Sequence, residues 1–80
     1  MKLIALNLPR DLNEQSLGLI FKKIGDIKSC TVVIDKYTGI SKGFGFLEMA
    51  LDLDGKTAIK ELHGTKIGKN KIRIKQSGDK

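Results

Sequence analysis

The chain has 80 residues, of which 40% are hydrophobic and 30% are charged, and its formal net charge is +6. A globular chain this short buries only a thin core, which excludes enzyme architectures such as barrels and doubly wound sheets. Its single cysteine, Cys30, excludes an intrachain disulfide and a clustered-cysteine metal site.

The first predicted strand lies in residues 3–8, a short apolar run that is followed by Pro9. The run is shorter than the roughly 7–15 apolar residues of a secretory signal, and no run in the chain approaches the ~18 residues of a membrane helix. We therefore expect a soluble, cytoplasmic protein. Alternation puts Leu3 and Ala5 on one face and Ile4 and Leu6 on the other, without deciding which face is inward.

A first amphipathic helix is predicted from an apolar stripe at helical spacing, formed by Leu17, Ile20, Phe21 and Ile24. Asn13 is a suitable N-cap, and Gly25 is a suitable C′ residue. The β-branched residues of segment 27–34 predict a strand, the turn residues of 35–42 predict a long hairpin loop, and segment 43–49 predicts the returning strand.

A second helix is predicted over residues 53–63, with Asp52 as its cap and Gly64 as its end. Its inward face would consist of Gly55, Ala58, Ile59 and Leu62, and the glycine there indicates close packing. Residues 71–75 alternate basic and apolar side chains, which predicts a last strand with Ile72 and Ile74 inward. Lys71, Arg73 and Lys75 would then face outward.

The predicted order is β-α-β-β-α-β, which indicates an α+β, ferredoxin-like sandwich. Two helices would cover one face of a four-stranded antiparallel sheet and leave the other face bare. We expect one domain over residues 1–76, followed by a short disordered tail over residues 77–80. Residues 66–80 hold six bases and one acid, a bias that suits either a polyanionic partner or a solvated, solubilising tail.

The predicted third strand decides what the bare face carries. Alternation puts Leu47 and Met49 on one side and Phe44 and Phe46 on the other. A core needs large apolar groups, so we expect Leu47 and Met49 to face the helices, with Gly45 beside them to let a helix pack closely. For the strand in isolation the reverse assignment, with the phenylalanines in the core, remains open.

These residues resemble the RNA recognition motif, and the likeness covers residues 2–76. Segment 42–49, KGFGFLEM, is similar to the family's eight-residue motif K/R-G-F/Y-G/A-F-V-x-F/Y. Seven positions agree in type if leucine counts for valine, and Met49 replaces the last aromatic. Segment 3–8 is similar to the family's six-residue motif, and segment 35–42 to the usual lead into the longer one. As a lone short module, the chain resembles the small single-domain members of bacterial type.

The resemblance implies a role for each matching residue. The aromatic at the position of Phe46 usually stacks under a base, the one at Phe44 packs between riboses, and Lys42 contacts a phosphate. Ile4 stands where an aromatic is common, so we expect one base stack rather than two. The predicted RNA-binding residues are Ile4, Leu6, Lys42, Phe44, Phe46, Lys71, Arg73 and Lys75.

We therefore expect a monomer that binds single-stranded RNA, or single-stranded DNA as well, without catalysis, cofactor, metal, membrane or small-molecule substrate. A protein-interaction domain that uses the same apolar face is the alternative.

Arg10 lies where acylphosphatases, which share a related fold, carry a catalytic arginine. Pro9, however, lacks the N–H that such an anion cradle needs. Tyr37, in the hairpin loop, would either stack on a nucleotide or cover the loop.

Overall fold

The structure, a computed structural model, describes residues 1–77. It contains a four-stranded antiparallel sheet, two helices and a small two-stranded ribbon. The sheet strands are β1 (Lys2–Leu6), β2 (Ile27–Ile34), β3 (Ser41–Met49) and β6 (Arg73–Gln76), in the order β2-β3-β1-β6. The helices are α1 (Glu14–Lys22) and α2 (Asp52–Leu62), and the ribbon consists of β4 (Lys66–Ile67) and β5 (Asn70–Lys71). This arrangement confirms the predicted ferredoxin-like α+β fold.

The core lies between one face of the sheet and the two helices. Leu3 and Ala5 of β1 are fully buried, which decides the orientation that alternation left open for this strand. The other core residues are Leu8, Leu17, Phe21, Val32, Leu47, Met49, Ala58, Ile72 and Ile74. Among residues 1–77, neither helix is long and apolar enough to cross a membrane.

Helix α1 begins as its sequence predicts, since the backbone N–H of Ser16 donates to Asn13 Oδ1 at 2.8 Å. Its C-terminus differs from the expectation, because Lys23 is the C-cap and Gly25 therefore lies beyond the C′ position. The amides of Ile24 and Gly25 both donate to the carbonyl of Phe21, at 2.9 and 3.3 Å, and so close the last turn. These bonds satisfy a terminal carbonyl without a glycine at C′.

Helix α2 begins one residue earlier than predicted. Leu51 is the N-cap and makes no side-chain cap bond, whereas Asp52 lies in the first turn. The Asp52 carboxylate instead pairs with the N-terminal ammonium of Met1 at 3.2 Å. The close packing predicted at Gly55 is present, because a Cβ there would collide with the Met1 side chain. Gly64, with a φ of 84°, follows the C-cap as predicted.

The last strand is shorter than the predicted segment 71–75. The backbone N–H of Ile72 donates to the carbonyl of Thr65 at 2.9 Å, and the carbonyl of Ile72 accepts from the N–H of Gly64 at 2.8 Å. Because Ile72 pairs with this preceding segment, Lys71 belongs to the ribbon, and only residues 73–76 join the sheet.

The reason predicted for Gly45 was wrong. A Cβ at this position would lie 2.5 Å from the carbonyl oxygen of Thr31 and 3.2 Å from the Cα of Val32. Both atoms belong to the backbone of the neighbouring strand β2, beside a shift in the β2–β3 register. The glycine therefore admits a close approach between two strands, whereas the prediction had assigned it to helix packing.

The end of the described chain extends the sheet slightly. The backbone N–H of Ser77 donates to the carbonyl of Lys2 at 2.8 Å, so pairing with β1 reaches into the predicted tail. The remaining tail residues, 78–80, lie outside the described residues.

Candidate nucleic-acid interface

The open face of the sheet is organised in rows that run across the strands. In one row Phe46 lies opposite Thr31 of β2 and Ile4 of β1, and Ile4 in turn lies opposite Lys75 of β6. In the next row Leu6 lies between Phe44 of β3 and Arg73 of β6. Directly opposite side chains on one face are close neighbours. Each row therefore presents a phenyl ring, an aliphatic side chain and a cation in that order.

The two phenyl rings confirm the expected orientation of β3. Phe46 is 41% exposed, whereas Leu47 is 2% exposed and Met49 is fully buried. The ring centroids of Phe44 and Phe46 lie 6.1 Å apart with an interplanar angle of 86°. This is the edge-to-face geometry that aromatic pairs favour. Phe44 thus holds the Phe46 ring from the side, and the exposed part of Phe46 is available to a flat ligand.

The open face is positively charged. The outward positions of β1, β3 and β6 carry one carboxylate, Glu48, and four cations, namely Lys2, Lys42, Arg73 and Lys75. Glu48 Oε2 lies 4.0 Å from Lys28 Nζ at the β2 edge. The excess of cations around an apolar centre attracts an anionic polymer and leaves the aromatic surface uncharged.

A depression lies at the end of the open face where β1 ends. It is lined by the cations Arg10, Lys42 and Arg73 and by the apolar side chains of Leu6 and Phe44. The loop after β1 reaches this place because the backbone N–H of Leu8 donates to the carbonyl of Gly43 at 2.8 Å. Gly43, with a φ of 88°, adopts a conformation that suits glycine.

Arg10 is a residue of this surface that the sequence did not assign to it. The Leu8–Gly43 hydrogen bond is a contact between distant segments, so no local pattern indicated it. The structure also separates one predicted residue from the others. Lys71 lies on the ribbon, opposite Lys66 of β4, whereas the remaining seven predicted residues share the open face.

The loop between β2 and β3 is held by its own hydrogen bonds. Asp35 Oδ1 accepts from the backbone N–H groups of Tyr37 and Thr38, at 2.8 and 3.3 Å. These bonds favour the carboxylate and hold the pKa of Asp35 below its usual value. Tyr37 is 94% exposed, so it does not cover the loop, and its ring is accessible.

Fold and surface together define a ferredoxin-like α+β domain with an exposed aromatic and basic sheet face. The chain belongs to the RNA recognition motif family, whose model matches residues 6–73.

Relatives and solved structures agree with this assignment. The small ribosomal subunit protein cS22 of Spinacia oleracea is 40% identical over 68 residues, which are 85% of this chain and 26% of that protein. RNA binding protein PG1, known from a crystal structure, is 31% identical in sequence to this chain. The two structures superpose with a TM-score of 0.94, over 100% of this chain and 96% of that one. The protein chain of the Sex-lethal protein–RNA complex is 29% identical in sequence to this chain. Its structure superposes with a TM-score of 0.93, over 99% of this chain and 47% of that one. The chain spans about a quarter or less of the curated relatives that it matches.

Proposed function

We propose that this domain binds single-stranded RNA on the open face of its sheet and that it does so without catalysis. The observation that carries the proposal is the exposed ring of Phe46, held edge-to-face by Phe44 and placed in a row with Ile4 and Lys75. Each base that stacks on an aromatic side chain contributes about 1–3 kcal/mol to binding, and RNA bases are stackable when they are unpaired.

Each side chain has a role in the proposed complex. Phe46 stacks under a base, and Phe44 packs against ribose. A second base makes an apolar contact with Ile4, which has no aromatic ring to stack on. Arg73 and Lys75 contact phosphates at the cationic ends of the two rows, and Lys42, on the same side of β3 as Phe44, contacts another phosphate. Arg10 joins them at the depression, because it lines the same hollow as Lys42 and Arg73. This arrangement suits a short segment of about two to four nucleotides with one strong stack.

Similar proteins support the proposal through what their names and structures state. One neighbour is an RNA binding protein that this chain covers almost completely, and another is a complex with RNA. The alternative of a protein-interaction domain gains no such support. A monomeric state and a cytoplasmic location stay predictions.

A titration with single-stranded RNA tests the proposal. We expect an unstructured oligonucleotide to bind, and its affinity to fall as salt rises, with a logarithmic slope of about 0.7 per phosphate contact. An Arg73→Gln, Lys75→Gln variant should lower that slope by roughly 1.4. Single-stranded DNA and duplex RNA of the same sequence are the comparison ligands. Equal affinity for the duplex, or no binding of the single strand at low salt, would contradict the proposal.

A further inference from the structure

We propose that the β4–β5 ribbon is a second phosphate-binding element, which takes up the RNA backbone where it leaves the open face. This inference rests on the proposed function and extends it to a surface outside the sheet. The ribbon carries three exposed lysines, Lys66, Lys69 and Lys71. Within residues 1–77 none of these three lysines forms an ion pair.

The ribbon places two like charges in opposite positions. Lys66 and Lys71 are direct cross-strand partners. Like charges in directly opposite positions destabilise a strand pair. Side chains alternate along each strand, so Lys66 and Lys71 share one side while Ile67 and Asn70 share the other. Ile67 packs against the core, so the lysine pair faces away from it.

The ribbon is anchored to the body of the domain despite this repulsion. The side-chain amide of Asn7 donates to the carbonyl of Lys71 at 2.9 Å, and that of Asn70 donates to the carbonyl of Asn7 at 3.1 Å. The backbone bonds of Ile72 with Gly64 and Thr65 hold its base. A segment that served only as a solvated connection would not need to be held in this position. The anchoring fixes where the two ammonium groups are presented.

The ribbon also continues the binding surface. Asn7 directly follows Leu6, which is paired with Phe44 and Arg73 on the open face. Asn70 lines the depression that Arg10, Lys42 and Arg73 surround. The lysine pair lies on the opposite side of the ribbon from Asn70, so a strand of RNA that leaves this depression reaches Lys71 and Lys66 by passing over the ribbon. Over residues 66–77 the chain carries five cations and no carboxylate, so nothing there repels a phosphate.

The ligand of the ribbon is thus the phosphodiester backbone, read without regard to base. Two neighbouring ammonium groups suit an anion better than a base edge, because lysine acts as a point charge with three donors. Binding at the ribbon should consequently depend on RNA length and salt. It should not depend on which bases occupy the open face.

The test compares two double variants with the same loss of charge. Lys66→Gln, Lys71→Gln removes the lysine pair of the ribbon, and Lys56→Gln, Lys60→Gln alters two exposed lysines of α2 on the helical side. Each is titrated with a uridine tetramer and a uridine dodecamer at two salt concentrations. We expect the ribbon variant to bind the tetramer as the unaltered chain does. The dodecamer should bind more weakly as salt rises from about 50 to 200 mM. This decrease in affinity should be roughly seven-fold smaller for the ribbon variant than for the unaltered chain, which corresponds to two lost phosphate contacts.

The outcomes separate this inference from the proposed function. If the tetramer fails to bind the unaltered chain, the open face is not an RNA site and both proposals fail. If the tetramer binds but the ribbon and helix variants behave alike with the dodecamer, the ribbon holds no phosphate and only this inference fails. A thermal melt adds an independent readout, because Lys66→Gln removes a like-charge pair and should leave the melting temperature unchanged or raise it. A lower melting temperature would contradict the unfavourable pairing.

Discussion

The two faces of the sheet are built from the same strands, and they differ in what their side chains touch. In β3, Leu47 and Met49 point into the core, whereas Phe44 and Phe46 point away from it. In β1, Leu3 and Ala5 are buried, while Ile4 and Leu6 lie half-exposed on the open face. Alternate residues of one strand therefore contribute to different properties, the buried ones to stability and the outward ones to binding. A substitution should therefore affect one property without the other.

The largest expected effect belongs to the covered face. Phe21 belongs to α1 and is fully buried in the core between the helices and the sheet, so Phe21→Ala should lower the free energy of unfolding by about 3–5 kcal/mol. Urea denaturation at equilibrium measures the loss. For a domain of this size, each kcal/mol lost corresponds to roughly 4–8 °C in melting temperature. A loss below about 1 kcal/mol would mean that the core does not depend on this ring.

The same substitution on the open face should affect binding instead. Phe46→Ala should weaken binding of single-stranded RNA by about 1–3 kcal/mol, because a base loses its stacking partner. Calorimetric titration measures the change, and Phe46→Tyr is the matched control, since it keeps an aromatic face. If Phe46→Ala melts far below the unaltered protein and RNA affinity stays the same, the ring has a structural role and the two faces are not separable.

An additional aromatic ring on the open face should increase RNA binding. Ile4 lies between Phe46 and Lys75 and is half-buried. A base can therefore contact its side chain but finds no aromatic ring there to stack on. Ile4→Tyr should strengthen binding to a dinucleotide or longer RNA by about 1 kcal/mol, through a second stack. Ala5→Val, on the buried side of the same strand, is the control and should alter stability without any gain in affinity. Unchanged affinity for Ile4→Tyr would show that no base reaches this part of the row.

The smallest effect concerns the loop beside the open face. The folded-state pKa of Asp35 is lowered, because its carboxylate accepts hydrogen bonds from Tyr37 and Thr38. Its stabilising contribution is therefore complete above the unfolded value of 3.8 and is lost as the pH falls through the lower folded value. Asp35→Asn keeps an acceptor oxygen but removes the charge. The difference in melting temperature between the two proteins should be constant near neutral pH and shrink below about pH 4. A difference that stays constant into acid would show that the charge does not stabilise the loop.

Much of the candidate site was predictable because it depends on short periods in the sequence. The alternation of segment 42–49 placed Phe44 and Phe46 on the outside, and the alternation of residues 72–75 placed Arg73 and Lys75 there. The two features of the candidate site that the sequence did not predict both depend on bonds between distant segments. Lys71 lies outside the sheet because Ile72 pairs with Gly64 and Thr65. Arg10 lies beside the open face because the backbone of Leu8 is hydrogen-bonded to that of Gly43.

Hydrophobic periodicity in the sequence was enough to predict the two helices and the four sheet strands, the inward residues of β3 and of the last strand, and the aromatic character of the open face. Hydrophobic periodicity is a local property, and a one-residue slip would expose the whole buried set. The strand register and the row in which each cation lies depend on the tertiary structure alone. The same holds for Gly45, whose role depends on the backbone of β2, and for Asp52, whose partner is the N-terminus. These features arise from contacts between residues far apart in the chain, and such contacts leave no local pattern in the sequence.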